Sequence, residues 1–513
     1  MARHVTSAVA SEGAPAGEPG ISLRDMPPLL LGAIMLTVLL RAVMGALLGL
    51  TDDEAYYRLW TLAPALSYYD HPPMAAWMSV LTRAVAGDTA LGLRLPSVLI
   101  SLVGPLLLWR TAGILFGRRV AITTVAFSLV MPLLAVGGII ITPDAPSVFF
   151  WGLVAWAMAE LHVSRNANWW LAIGLFAGCG MISKYTNLFA GAGLLMWVLL
   201  IPRNRRFLLS WQLWAGGLVA ALCTLPVVIW NAQHQWASFA KQFGRVTRGA
   251  DLTPVFTAEM LGGFVGLASP VIGMLALIGF ARVLAEAVRQ RDERAILIMS
   301  GLFPMLIYFF VHALHARVQA NWLAPLYPAL ALCAAYQLAM SSSAHKQRWF
   351  VAAIVVGAVL TGLVYVHALR PFVVLPGARD PTSQLRGWSE VAAEVERQRR
   401  AHGAGWIATA GYGATGQLDF ALRGQVKVEQ VTERIRYVHL PPVDSKLARS
   451  PAIVFDEDDH LALQVARAHF RSVVPLGQVV RSHRGVIFAT YDLYLATDPL
   501  NPERIFAVDQ ARR

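Results

Sequence analysis

Apolar segments of about 20 residues recur from about residue 27 to about residue 370, and they constrain the fold more than any other feature. An α-helix of that length crosses the roughly 30 Å of hydrocarbon in a bilayer. The chain is 56% hydrophobic and 14% charged, with a mean hydropathy of +0.52, which is too apolar for an ordinary water-soluble protein. We therefore predict a polytopic α-helical membrane protein.

About eleven of these segments are predicted to span the membrane, and basic clusters in the short loops set their orientation. Lys and Arg concentrate on the cytoplasmic side of membrane proteins. With the N-terminus inside, the basic clusters at 118–119, 203–206, 289–291 and 346–348 all fall on that side. The predicted spans lie at about 27–50, 91–112, 119–138, 145–163, 168–182, 185–201, 207–230, 256–285, 295–314, 321–340 and 349–370.

Composition divides the chain into three parts. The first residues are rich in Ala, Gly, Ser, Pro and Glu and lack the apolar core of a cleavable signal peptide, so we predict a disordered cytoplasmic tail over 1–24. Residues 25–372 hold the spans and a long outer loop at 51–90, which has room for two short helices. Residues 376–513 carry frequent charges and short apolar runs. This last part predicts a small soluble domain on the outer, non-cytoplasmic side of the membrane.

Alternating helix and strand patterns predict that the soluble domain is of the α/β class. Helices are expected at 384–400, 416–422 and 460–469, and strands at 406–410, 426–431, 452–455 and 486–491. The net charge of +12 does not predict nucleic-acid binding, because Lys and Arg are spread over short loops rather than clustered on one element.

Three adjacent carboxylates, Asp52, Asp53 and Glu54, follow the first apolar segment. Charged groups beside hydrocarbon are costly, and such groups usually have a function. The span count places them on the outer face, where we predict Asp53 as a general base, Glu54 as the second choice and Asp52 as the cap of a short helix. Asp144 is predicted as a second acid that orients the acceptor or the base, and its alternative role is to cap the following span.

An outward-facing active site has no supply of nucleotide sugars or ATP, so a transferase there needs a donor that is carried by a lipid. A sugar on a polyprenyl phosphate meets this requirement, because its phosphate lies at headgroup depth and its tail lies in hydrocarbon. Transfer needs a carboxylate base for the acceptor hydroxyl and cationic or hydrogen-bonding groups for the departing phosphate. The sequence therefore favours a glycosyltransferase of this kind.

Further residues on the same predicted face are candidates for binding the donor phosphate or the substrate. Lys184 interrupts an apolar stretch, where an ammonium needs an anionic partner such as a lipid phosphate, unless it only snorkels to the interface. The other candidates are Tyr57, Arg58, Tyr69, His71, Arg94, His234, Arg317 and Asn321.

A divalent metal ion is a further hypothesis. Asp70, with His71 next to it, and His234 offer carboxylate and imidazole ligands on the same predicted face. Their spacing follows no fixed metal-binding pattern, so an ordinary histidine at the membrane interface is the alternative.

Five short motifs together resemble the bacterial branch of the GT-C glycosyltransferases. They lie at 53–57, 69–73, 142–144, 183–185 and 319–322. This branch, of the glycosyltransferase family 39/83 type, includes protein O-mannosyltransferase-like enzymes, the lipid A aminoarabinose transferase and the lipopolysaccharide galacturonosyltransferases. The resemblance covers roughly residues 25 to 370 and rests on the ordered set of motifs.

The resemblance implies an inverting transferase that uses an undecaprenyl or similar polyprenyl phosphate sugar. It also implies Asp53 as the catalytic acidic residue of the first outer loop and Asp144 as its counterpart in the second. The aminoarabinose transferase has Glu-Lys before its Pro-Pro motif, whereas this chain has Asp70 and His71 there. This difference argues against aminoarabinose as the sugar. In this motif the chain is more similar to the galacturonosyltransferase group. The acceptor is expected to be lipid A or lipopolysaccharide, another envelope glycan or a protein.

Two other functions are alternatives. A transporter or flippase of lipid-linked sugars would favour ionisable residues near span centres and inverted repeats. Here the polar residues collect at one interface and no repeat is visible. In a second alternative the soluble domain is the functional module and the spans are its anchor, but eleven spans exceed what an anchor needs. We expect the soluble domain to contribute to acceptor recognition.

Overall fold

The computed structural model describes residues 16–244, 254–373 and 380–508. Residues 1–15 of the predicted tail and the predicted domain boundary at 376 lie outside these residues. Within them the chain is a mostly helical membrane domain followed by a smaller domain built on a β-sheet, which confirms the predicted fold class.

Fifteen α-helices build the described part of the membrane domain. They are α1 (Pro28–Leu47), α2 (Asp52–Leu62), α3 (Met74–Ala86), α4 (Ala90–Val130), α5 (Pro132–Gly137), α6 (Asp144–Ser164), α7 (Trp169–Met181), α8 (Leu188–Leu200), α9 (Trp211–Gln233), α10 (Ala237–Phe243), α11 (Val255–Leu267), α12 (Pro270–Ala285), α13 (Glu293–His312), α14 (Tyr327–Ala339) and α15 (Ser343–Leu369).

Eight helices in the described ranges are long and apolar enough to cross a membrane, and the number rises to nine if one bent pair counts as a single span. Three more helices, α3, α7 and α11, are apolar but shorter. The prediction of a single span at 256–285 is wrong, because the segment breaks into α11 and α12. Ser269 lies at the break with φ of +74°, a left-handed conformation that an α-helix cannot contain.

The prediction of a disordered tail is wrong for residues 16–24, which pack against α4. Ile21 is buried, and the Trp109 indole donates a hydrogen bond to the Ser22 carbonyl over 3.0 Å. A Cβ on Gly113 would lie 2.7 Å from the Ile21 side chain, so the glycine makes room for this contact. An isolated apolar residue in a polar segment gives no local signal of such docking.

The loop between α1 and α4 forms α2 and α3, the two short helices that were expected there. Thr51, rather than Asp52, caps α2: its side chain accepts a hydrogen bond from the Glu54 backbone N–H, and the Glu54 carboxylate accepts one from the Thr51 N–H. This capping box uses the carboxylate at the third helical position. The predicted capping role of Asp52 is therefore wrong.

The C-terminal domain is an α/β unit, as predicted. Its sheet has the strand order β2–β1–β3–β5–β4, in which β2, β1 and β3 are parallel while β5 and β4 are antiparallel. The strands are β1 (Trp406–Thr409), β2 (Val428–Gln430), β3 (Ala452–Asp456), β4 (Phe470–His483) and β5 (Val486–Pro499). The helices are α16 (Trp388–Ala401), α17 (Tyr412–Ala421), α18 (Ser445–Ala448), α19 (Leu461–His469) and α20 (Pro502–Ile505).

The sequence did not reveal β4, and it revealed only the start of β5. Strand β4 contains Pro475 and Gly477, and its register with β5 shifts between these two residues. Both residue types weaken the strand pattern and are typical of bulges.

Helix α17 of the C-terminal domain packs directly on α2 of the membrane domain. A Cβ on Gly416 would lie 2.6 Å from the backbone carbon of Ala55, and one on Gly413 would lie 2.9 Å from the Asp52 Cβ. The Gln417 amide donates hydrogen bonds to the Leu50 carbonyl and the Asp52 carboxylate, each over 2.9 Å. Because two glycines permit this close approach, α17 holds the helix that carries the carboxylate cluster.

Candidate active site

An apolar cavity of about 850 Å³ opens beside the carboxylate cluster. Its walls come from α1, α4, α5, α6, α13, α14 and α15, together with the segment at 381–385 that leads into the C-terminal domain. The described lining is apolar over most of its surface. Asp53, Asp144, Gln319 and Asn321 line the same cavity, so two carboxylates and two amides border a large apolar space.

The Asp53 carboxylate lies at this cavity with its surface accessible. It accepts a hydrogen bond of 3.0 Å from the Tyr412 hydroxyl of the C-terminal domain. Desolvation by the surrounding protein raises the pKa of Asp53, the Tyr412 hydrogen bond lowers it, and the negative charges of Asp52 and Asp70 raise it further. No cation among the described residues forms an ion pair with Asp53. An accessible carboxylate with a raised pKa and no ion pair is suited to accept a proton.

Glu54, the second choice for the base, is fully buried and is held by other groups. Arg94 donates to both of its oxygens, with Nε over 2.8 Å and Nη2 over 2.6 Å, and the Ile141 backbone N–H donates over 3.0 Å. Arg94 also donates to the backbone carbonyls of Gly45, Leu48 and Gly49 at the end of α1. Glu54 has no accessible surface, and in this structure it joins three segments of the fold, so its catalytic role stays an untested prediction.

Asp144 is the centre of a second polar cluster. The Lys184 ammonium donates to its Oδ1 over 2.5 Å, and the Asn321 amide donates to its Oδ2 over 2.8 Å. The carboxylate makes no capping hydrogen bond to α6, although the residue begins that helix, so the capping alternative is wrong. The structure thus unites three predicted site residues from three separate loops. The anionic partner that Lys184 required is Asp144, whereas the sequence interpretation named a lipid phosphate.

Asp70 binds cations of this protein. The Lys241 ammonium donates to it over 2.5 Å, the Tyr56 hydroxyl donates over 2.8 Å, and Arg436 of the C-terminal domain forms an ion pair with it. Desolvation opposes ionisation, but Arg436 and Lys241 outweigh it and lower the pKa of Asp70 to about 2. Asp70 is therefore a permanent anion that fixes the C-terminal domain to the loop between α1 and α4.

The proposed metal ligands do not fit this arrangement. Both oxygens of Asp70 accept from cations or a hydroxyl, and His234 directs Nδ1 to the Trp230 carbonyl over 2.7 Å. Among the described residues no group of three His, Cys, Asp or Glu side chains is placed to hold a metal ion. The protein's own cations and Tyr56 thus occupy the Asp70 carboxylate, and the metal hypothesis stays a prediction.

His71 and two tyrosines complete the polar surroundings. Burial and the nearby Lys184 ammonium lower the pKa of His71 to about 4, although Asp70 and Asp144 act against them. The imidazole is neutral at pH 7, so it can only hydrogen-bond to a phosphate and not pair with it as a cation. Tyr57 packs edge-on to His71 at 6.2 Å, and the Tyr69 ring stacks under the Lys241 ammonium at 4.1 Å.

Two predicted phosphate ligands are engaged elsewhere. Arg58 is buried and pairs with Asp88 over 2.5 Å and with Asp419 of the C-terminal domain over 2.6 Å. Arg317 is exposed and pairs with Glu259 over 2.8 Å. Neither residue lines the cavity, so neither is positioned by the structure for the predicted contact.

Sequence reasoning missed Tyr412, Arg436 and Lys241, which contact the predicted carboxylates directly. Tyr412 is 359 residues from Asp53 along the chain, and no local pattern links the two. The sequence feature that came closest to indicating this contact was the pair of closely spaced glycines, Gly413 and Gly416, in the α17 segment.

Comparison with known proteins agrees with this architecture. Residues 70–230 match the family "Dolichyl-phosphate-mannose-protein mannosyltransferase". Two curated relatives come from Rhizobium johnstonii. The lipid A galacturonosyltransferase RgtD is 27% identical over 296 residues, which cover 56% of this chain and 60% of that protein. The lipopolysaccharide core galacturonosyltransferase RgtB is 24% identical over 319 residues, which cover 58% of this chain and 62% of that protein.

The match thus spans about three fifths of each curated relative. Among solved structures, ArnT from Cupriavidus metallidurans bound to undecaprenyl phosphate superposes with a TM-score of 0.65 at 16% identity, covering 91% of this chain and 97% of that one. At this identity the likeness concerns the fold. The chain is therefore similar to these glycosyltransferases in the matched segment at 70–230, and its fold is of the GT-C type.

Proposed function

We propose that this protein transfers a sugar from a polyprenyl phosphate donor to a hydroxyl of an envelope glycolipid, with Asp53 as the general base. The observation that carries this proposal is the position of Asp53: its accessible carboxylate lies at the edge of a large apolar cavity and forms no ion pair with any described residue. A donor on a lipid carrier needs an apolar cavity for its tail and an accessible base beside that cavity. A water-soluble donor has no apolar tail for the cavity to bind.

The arrangement assigns a task to each polar group. Asp53 takes the proton of the acceptor hydroxyl as that oxygen attacks the anomeric carbon. The bond to the donor phosphate breaks, and the phosphate leaves as an anion without a proton, because it is a weak base. Lys184 and Asn321 hold the Asp144 carboxylate at the cavity wall, so Asp144 is placed to orient the acceptor. An acceptor attacking opposite the leaving group gives inversion.

The apolar walls indicate the chemical class of the donor. We propose that they hold the isoprene units next to the phosphate, while the rest of the tail lies in the bilayer. The solved relative of the same fold binds undecaprenyl phosphate, which agrees with this assignment. The curated relatives are galacturonosyltransferases, so we propose galacturonic acid as the sugar and lipid A or the lipopolysaccharide core as the acceptor. We propose that the transfer takes place at the outer face of a bacterial inner membrane.

A transporter of lipid-linked sugars remains the competing function, and the polar clusters disfavour it. Asp53 and Asp70 lie in the segment between α1 and α4, and Asp144 begins α6, so these carboxylates lie outside the interiors of the long apolar helices. Alternating access needs a route to both faces of the membrane.

The test uses the purified full-length protein in liposomes with undecaprenyl phosphate galacturonic acid as donor and lipid A or core oligosaccharide as acceptor. We expect mass spectrometry to detect the acceptor with one added uronic acid and an equal amount of undecaprenyl phosphate. A nucleotide-linked galacturonic acid should give no product. Movement of the lipid-linked sugar between leaflets without any glycosidic product would contradict the proposal.

Replacing Tyr412 with phenylalanine is expected to change the pH dependence of transfer. The Tyr412 hydroxyl donates to Asp53 and lowers its pKa, so its loss should raise that pKa further. Asp53 must be ionised to act as a base, and the acidic limb of kcat/KM should therefore move to higher pH by about 0.5 to 1 unit. Tyr437→Phe is a matched control, because that hydroxyl donates to Gln430 instead. An unchanged acidic limb in Tyr412→Phe would argue against Asp53 as the titrating base.

A further inference from the structure

Arg41 is a cation inside an apolar helix of spanning length, α1, and it has no anionic partner in the described part of the chain. It lies in α1, six residues before the helix ends at Leu47, and only 3% of the residue is exposed. Its Nε is buried and has no hydrogen-bond partner within the described residues. A charged group at such a depth is expensive unless it is paired or functional.

The guanidinium faces the cavity that also contains Asp53 and Asp144. Arg41 and Arg94 are the two cations among the described lining residues, and Arg94 is neutralised by Glu54. No carboxylate in the described ranges lies within ion-pair distance of Arg41. The hydroxyl of Tyr365 on α15, another residue of the cavity lining, interacts with it.

The other cations around the site are occupied by carboxylates of the protein itself. Lys184 pairs with Asp144, and Lys241 and Arg436 both pair with Asp70. Each of these cations would have to leave its partner before it could neutralise an anionic ligand. Arg41 has no carboxylate partner to leave among the described residues, so its positive charge can pair directly with an anionic ligand in this cavity.

The backbone leaves space for this side chain at one glycine. A Cβ on Gly138, just after α5, would lie 2.9 Å from Arg41 Cδ and 3.0 Å from Arg41 Nε. Such distances are shorter than real Cβ contacts, so any larger residue would displace the guanidinium. Gly138 has an ordinary helical φ of −82°, which means that glycine is needed there for space rather than for conformation.

We propose that Arg41 binds the phosphate of the polyprenyl carrier within this cavity. The inference rests on the proposed function and deepens it. A buried unpaired guanidinium selects an anion, and planar N–H groups suit phosphate oxygens. The apolar walls select a hydrocarbon tail attached to that anion. The ligand class is therefore a phosphate ester on an isoprenoid chain, held by its phosphate at Arg41 in the cavity where Asp53 meets the sugar. Arg41 is a binding residue in this account, and it takes no proton.

The test measures lipid binding directly, without turnover. Purified full-length protein in nanodiscs is titrated with undecaprenyl phosphate and, separately, with undecaprenol, and native mass spectrometry quantifies the bound lipid. We expect Arg41→Gln to weaken binding of undecaprenyl phosphate about 10-fold or more and to leave the weaker binding of undecaprenol unchanged. Arg41→Lys should retain most of the affinity, because the charge remains.

A pair of glycine variants tests the same site without changing a charge. Gly138→Ala should weaken undecaprenyl phosphate binding, since its new methyl group displaces the Arg41 side chain. Gly362→Ala, on the same helix as Tyr365, places its methyl group where no described atom lies within 4 Å and should bind normally. Thermal melting of all variants shows whether each is folded.

The outcomes separate this inference from the proposed function. Unchanged binding in folded Arg41→Gln would overturn the role of Arg41, even if the protein transfers sugar. Equal competition by phosphatidylglycerol would show that Arg41 holds a general lipid headgroup, and competition by inorganic phosphate alone would show an anion site without tail selection; either result overturns the isoprenoid assignment. Binding that depends on Arg41 in a protein that transfers no sugar would overturn the proposed function and leave the site intact.

Discussion

Asp53→Asn is expected to lower the rate of sugar transfer by about 10²- to 10⁴-fold, the usual contribution of a general base. Asparagine has nearly the same shape as aspartate and can still accept the hydrogen bond from Tyr412, but it cannot take a proton. Folding, membrane insertion and binding of undecaprenyl phosphate should remain close to wild type. Single-turnover transfer in liposomes, together with lipid binding, measures the effect.

Asp52→Asn is the matched control for this prediction. Asp52 is adjacent in sequence, but its carboxylate accepts from Gln417 at the contact with α17, and an asparagine oxygen can replace it there. We expect this variant to retain most of the activity. If Asp53→Asn transferred sugar at the wild-type rate, or if both substitutions reduced transfer equally, Asp53 would not be the base.

Glu54→Gln is expected to destabilise the protein strongly, by about 3 to 5 kcal/mol, because it leaves a buried guanidinium without a counter-charge. Arg94 is fully buried, and Glu54 neutralises it through two hydrogen bonds. The same pair joins α2 to α4 and to the end of α1, so loss of the charge should loosen the loop that presents Asp53. A fall in the melting temperature and in the yield of monodisperse protein measures this.

A double variant distinguishes a structural role of Glu54 from a catalytic one. Glu54→Gln combined with Arg94→Met removes both charges and should recover much of the lost stability, since no buried ion remains unpaired. The recovered fraction should transfer sugar, because Asp53 is unchanged. A Glu54→Gln protein that melts at the wild-type temperature but has no activity would restore Glu54 as a candidate base.

The membrane-domain fold was largely predictable, because apolar length and loop charge act locally. The segments that became α1, α6 and α13 were found from composition, and so were the two short helices after α1. The break at Ser269 was missed because the apolar run continues across it, although Pro270, which begins α12, is a local signal for a helix start. Strand β4 was missed because six of its fourteen residues are exposed and because Pro475 and Gly477 weaken the strand pattern.

The candidate site was predictable in its location and not in its pairings. Asp53, Asp144, Lys184 and Asn321 were placed on one face by the span count, and the structure brings the last three into contact. Which carboxylate remains unpaired depends on Arg94, Tyr412 and Arg436, whose approach is determined by tertiary packing. That packing separates Asp53, which is accessible, from its neighbour Glu54, which is buried. The expected part of the C-terminal domain in acceptor recognition stays a prediction, while its contacts with Asp53 and Asp70 give it a direct place at the site.

The most direct measurement of the central claim is the anomeric configuration of the transferred sugar in a single turnover. Full-length protein is preloaded with undecaprenyl phosphate galacturonic acid of known configuration, mixed with lipid A, and the product is examined by NMR. Direct displacement with Asp53 as base predicts a glycosylated acceptor with inverted configuration and one free undecaprenyl phosphate for each sugar transferred. A product with retained configuration, or no product from the lipid-linked donor, would contradict the account.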